Sequence, residues 1–306
     1  MTAVEDQADT KALPVPFRVS GAAATGSILQ PLNSSMIAVA IVGIAAQFGS
    51  NGGVSWIISA MYITTAVGAP MMGRLGALLG ARRVFLGGLA LVAIGSCVGM
   101  LAPNVGWLIG AYVILGFGIS AHMPNAMTMV RSYSERYGRQ PRTAIATLVV
   151  CSQSVAALGP TVGGLLVGAF GWQSILWVNL PVVVLSAVVV MRADVGFAGG
   201  GRVSVREALH ALDVVGIGLF LVTITSTMVL LVSLPGNPTW WLLPVAVTGL
   251  GLFVWWEHRA PEPFLDVEAL ARNRSLSATR VGHCSRTRAS TASFSEFHNG
   301  CSTRGG

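Results

Sequence analysis

Charge is what this sequence has least of. Asp, Glu, Lys and Arg make up 10% of its 306 residues, against about 25% in an average soluble domain. Apolar residues make up 53% and glycine supplies 37 positions, a profile that a water-soluble core of this size does not need. The little charge present leans one way, to a formal +7. In a soluble protein that excess would raise nucleic acid as a partner. Here the basic residues are scattered through short gaps between apolar runs, so the charge reads as topological and no nucleic-acid partner is expected.

Cysteine is scarce too. Cys97 and Cys151 sit inside apolar runs and Cys284 and Cys301 near the end, so no spaced framework suggests disulfides or a structural metal. No nucleophile elbow, metal-binding helix motif or phosphate loop supports an enzyme, and no cofactor is expected. The first 18 residues hold Glu5, Asp6 and Asp9. They lack the basic start and small-residue cleavage site of a secretory signal, and read as a short cytoplasmic arm.

What is abundant is long apolar runs. A helix needs roughly 20 mostly apolar residues to cross the hydrocarbon layer, and eight such stretches lie near 20–47, 54–72, 84–102, 106–129, 143–169, 174–192, 212–233 and 240–257. They are continuous, not alternating in short strands, which favours helices over a barrel. The expectation is an all-α protein embedded in a lipid bilayer. The connectors alternate: "GSNGG", "APNVG", "GWQ" and "LPGNPT" carry no Lys or Arg. The others hold Arg74, Arg82 and Arg83, then Arg131, Arg136, Arg139 and Arg142, then Arg192, Arg202 and Arg206, with more beyond the eighth run. With Lys11 and Arg18, all 19 basic residues fall on one side, which the positive-inside rule assigns to the cytoplasm. Both termini are then cytoplasmic and the location is the cell (inner) membrane.

Four stretches carry a family likeness. "LGPTVGG" in the fifth run places Gly159, Pro160, Gly163 and Gly164 in a pattern that lets neighbouring helices approach closely and bends the backbone. "GRLGALLGARR" fills the gap between runs two and three. "LNSSMIAVAI" lies in the first run, and "AYVILGFGISA" in the fourth. Together they resemble the major facilitator superfamily, and within it the fourteen-helix drug:proton antiporter branch, over about residues 25 to 275. The first fits that branch's antiporter motif. The second matches its cytoplasmic loop motif at Gly73, Leu75, Gly80, Arg82 and Arg83, with Ala77 where the family keeps an Asp latch. In the third, Asn33 stands for the acid. In the fourth, Gly116 and Gly118 are kept while Tyr112 replaces the arginine and Leu115 the glutamine. "HALDVVGIGL" and "WWEHRAPEPFLDVEALARNRSL" resemble the start of helix seven and the segment after helix eight.

The resemblance implies a six-helix facilitator half-bundle of two three-helix repeats plus two additional transmembrane helices, with small amphipathic drugs or metabolites as substrate. The expected division is an arm at 1–18, a transporter half at 19–192, a cytoplasmic linker at 193–211, two linker helices at 212–257 and a disordered cytoplasmic tail at 258–306. From Ser277 on, ten of thirty residues are Ser or Thr and no run is long enough to cross, as a reading-frame shift would produce. The second half would then be missing, and a second copy or a partner chain would supply it. His298 and Cys301 have a metal-compatible spacing, but the tail reads as a disordered basic segment near the anionic leaflet.

Intramembrane ionisable groups mark ion sites, and the first six runs hold no Asp, Glu, Lys or Arg at depth. His122 is the titratable side chain there, open to two readings: a proton-exchanging group, or a neutral histidine bonded to a neighbouring helix. Gln30 and Asn33 are three apart, as are His122 and Asn125, so each pair is expected to share a helix face. With Gln153 and Tyr62 they either line a central path or join helices through hydrogen bonds. Proton antiport is weakened and facilitated flow stays open. The other reading of the whole is a membrane protein without transport, an inactive remnant or an assembly partner.

Overall fold

The computed structural model describes residues 13–49, 53–193, 213–234 and 239–259, and every structural statement concerns those. Most of the expected arm, nearly all of the linker, and the tail with Cys284, His298 and Cys301 lie outside them.

All eight apolar runs are helical. Span one is α1 (Phe17–Ser27) and α2 (Leu29–Phe48), span two α3 (Gly53–Leu79), span three α4 (Ala81–Met100). Span four is α5 (Val105–Ser120) and α6 (His122–Tyr137), span five α7 (Arg142–Phe170), span six α8 (Ser174–Trp177) and α9 (Asn179–Arg192). Two further apolar helices, α10 (Val214–Ser233) and α11 (Leu242–Glu257), pack on each other as a hairpin. The first six spans are each long and apolar enough to cross a membrane. No strand occurs among the described residues, where the one extended pairing is an isolated bridge from Pro14 to Gln140. It ties the segment before α1 to the turn after α6, where Gly138 takes the left-handed conformation (φ 59°) that ends the helix.

Three of the six spans are interrupted, each just before a proline. Proline has no N–H and its ring crowds the carbonyl four residues back. Pro31, Pro124 and Pro181 each stand third in a resumed helix, and the interruptions at Ile28, Ala121 and Val178 lie three residues before them. The carbonyl that Pro31 leaves without a helical donor, Ser27 O, accepts a 3.5 Å hydrogen bond from Ser152 of α7. The plan of spans one and two repeats in spans four and five. Each set opens on an interrupted span and continues with a long helix holding an internal proline, Pro70 in α3 and Pro160 in α7.

Lipid supplies no hydrophobic drive between helices, so close packing must come from small residues. Span four is seated this way on both sides. A Cβ at Gly116 would lie 3.1 Å from Met61 O of α3, and one at Gly118 would lie 2.7 Å from both Gly88 O and Val92 N of α4. The contact of α2 with α7 uses the "GPTVGG" motif: Ser35 Oγ fills the space a Gly159 side chain would need, and Met36 sits within 3.3 Å of a Cβ at Gly163. Only 11% of the apolar stretch of α7 is buried, against 56% in spans two and four. Most of α7 therefore faces away from the bundle.

Candidate functional site

The polar residues singled out in the spans fall into three settings. Asn33 belongs to a buried amide pair. Its Nδ2 donates to Asn179 Oδ1 of α9 at 2.9 Å, and Asn179 Nδ2 donates back to Asn33 Oδ1 at 2.9 Å. The second proton of each amide goes to Leu29 O (2.8 Å) and to Ser96 Oγ of α4 (3.0 Å). Every amide proton is used, so this cluster joins spans one, three and six and offers no free amide donor. Asn179 and Ser96 were not among the expected site residues. The available signal was a lone Asn two positions before a proline in an apolar run.

His122 and Asn125 are both buried on α6, as their spacing implies. His122 donates from Nδ1 to Ile119 O at 3.1 Å, and its ring stands edge-on to Phe85 with centroids 4.9 Å apart. Asn125 Nδ2 donates to Ala121 O (2.7 Å) and to Met72 O of α3 (3.1 Å), while its Oδ1 rests against Gly76, where no Cβ would fit. His122 Nε2, Asn125 Oδ1 and the hydroxyl of buried Tyr112 have no hydrogen-bond partner among the described residues. These are the groups with polar capacity left at depth.

Gln30, Tyr62 and Gln153 are exposed on spans one, two and five. Gln30 thus does not share the buried face with Asn33. Three residues advance a helix by about 300°, an offset of about 60° that here separates the buried side from the open one.

At the end where the arginines gather, Gly80 (φ 98°) makes the turn from α3 to α4, and Leu75 is buried. A Cβ at Gly73 would touch Pro124 at 3.4 Å. Arg82 reaches across to donate to Met191 O at 2.7 Å, at the carbonyl end of α9, where a helix carries partial negative charge. Arg83 and Ala77 are exposed. Where an acid would have paired with the loop's basic groups, one arginine answers instead to a helix terminus.

The Major Facilitator Superfamily profile matches residues 23–196, which are spans one to six. The chain belongs to the major facilitator superfamily. Facilitator relatives include the uncharacterized MFS-type transporter YwoD of Bacillus subtilis, 36% identical over 270 residues, covering 85% of this chain and 57% of the relative. The methylenomycin A resistance protein of Streptomyces coelicolor is 30% identical over 253 residues, covering 80% of this chain and 51% of the relative. The multidrug resistance protein Stp of Mycobacterium tuberculosis is 28% identical over 242 residues, covering 77% and 44%. This chain spans about half the length of the relatives it matches. Among its described residues, no three His, Cys, Asp or Glu side chains gather as a metal site would require.

Proposed function

We propose that this chain forms one wall of a facilitator-type transporter that exports drugs or other amphipathic small molecules across the cell membrane, with its arginine-rich end in the cytoplasm. The observation that carries the reading is the uncovered polar set. Gln30, Tyr62 and Gln153 stay exposed on apolar helices whose contacts with one another rest on small residues. A polar group facing hydrocarbon is costly, so these three belong on a solvated path between this wall and a second bundle, in the same chain or another. The two resistance proteins among the relatives support export of amphipathic compounds.

Coupling to protons through Asn33 is excluded by its chemistry, since an amide does not titrate and its protons are all engaged. His122 is the histidine at depth in spans one to six, and its Nε2 is the atom that would exchange a proton if transport is coupled. A second reading, a membrane protein that assembles without transporting, is favoured by one fact: the buried amide pair serves helix contact alone. Accumulation of ethidium in a host stripped of its own pumps separates the two. Expression that lowers dye content, with the effect lost in Gln153→Leu, supports transport, and unchanged dye content supports the second reading.

A further inference from the structure

We propose that the lateral groove over α1, between α7 and α9, is a binding site for an anionic phospholipid of the arginine-side leaflet. The cavity has a volume of about 670 Å³, within the roughly 300–1,000 Å³ range of small-molecule sites. Its floor runs along α1 from Phe17 to Ile28. Eleven residues of helix rise about 16 Å, half of the roughly 30 Å hydrocarbon layer. The groove is therefore one leaflet deep.

Its walls are suited to an acyl chain. Thr25 turns its hydroxyl to Ala22 O (2.8 Å) and Ser186 (2.9 Å), and Thr147 to Thr143 O (2.9 Å), so these groups present methyls to the space. Gly21 leaves room above the floor, its nearest neighbour being the Phe17 ring. Phe17 (76% exposed) and Val150 (62% exposed) mark the open rim, so the groove is entered from the side.

Charge sits at one end. Arg18 lines the mouth. Arg142 begins α7, and Arg192 ends α9 one turn beyond Val189 of the wall. Each of the three helices thus ends in an arginine at the same side, and none of the lining residues is acidic. An apolar slot one leaflet deep under a cluster of arginines complements one phosphodiester headgroup and its tails.

The test is native mass spectrometry of the full chain in detergent, titrated with dioleoylphosphatidylglycerol, with dioleoylphosphatidylcholine and with inorganic phosphate. The expected result is a single saturable phosphatidylglycerol adduct at least fivefold tighter than the phosphatidylcholine adduct and not displaced by phosphate. Arg18→Gln should remove about fivefold of that preference, and Cys151→Trp or Gly21→Leu, which fill the slot, should abolish saturation. In the unaltered protein, phosphatidylglycerol should slow alkylation of Cys151 by N-ethylmaleimide, read by peptide mass, a measurement that no folding defect can confound. Equal retention of the two lipids, displacement by phosphate, or Cys151 alkylation unchanged by phosphatidylglycerol would each overturn the proposal.

Discussion

Asn33 and Asn179 hold each other through both halves of their amides, and the consequence is asymmetric. Removing one partner leaves a buried donor and acceptor without mates, whereas replacing both by apolar groups approaches neutrality. Asn179→Leu is expected to cost about 1–3 kcal/mol, and the double variant Asn33→Leu with Asn179→Leu to be more stable than either single change. Equilibrium unfolding in mixed detergent micelles would show this, and a double variant no better than the worse single would contradict it. Asn33 stood out in the sequence as an amide in the place of an acid; its partners did not. Pairing across 146 positions has no local signature, whereas the His122 and Asn125 pair, three residues apart on one helix, was legible from spacing. Gln30 shows the limit of that spacing, because sharing a side of a helix does not decide which edge of that side is covered.

At the scale of elements, glycines decide which helices touch. Gly118 faces backbone atoms of α4 that cannot move aside, while a Cβ at Gly164 would meet only Val39 Cγ1 at 3.9 Å. Gly118→Ala is expected to destabilise by about 1–3 kcal/mol through overpacking. Gly164→Ala should stay within about 0.5 kcal/mol of the parent. Thermal denaturation of the two proteins in one detergent checks the contrast, and equal losses would argue against close packing of span four. The location of every span was readable from apolar run length alone. Their interruptions were not, since Pro31, Pro124 and Pro181 stand just after breaks while Pro70 and Pro160 lie inside continuous helices, and a run that satisfies the bilayer in length conceals a break within it.

For the molecule as a whole, the one-sided arginines make a topological prediction. Alkaline phosphatase fused at Asn104 is expected to be active, exported, and fused at Arg139 inactive; the reverse pattern would invert the orientation. The same end of the molecule carries the α3–α4 turn. Arg82→Gln weakens the link to the carbonyl end of α9 and is expected to cost about 0.5–1 kcal/mol, measured as a fall in unfolding midpoint. Ala77 is exposed, so Ala77→Asp is expected to leave the stability of the bundle within about 0.5 kcal/mol of the parent. If it also lowers dye accumulation further, the added acid acts on transport and not on the packing of the bundle.

Run length, composition and the placement of arginine determined by themselves that the chain is helical, crosses the membrane several times and has one basic face, because the bilayer punishes exposed backbone and buried charge whatever the tertiary detail. The glycine and proline motifs carried the family. Only the tertiary structure decided which polar residues are spent on joining helices and which remain open. That depends on how far each helix is rotated about its own axis, a quantity set by the small-residue contacts of several spans at once. Asn33 was thereby turned inward into a closed amide pair and Gln30 outward, although the sequence placed them side by side.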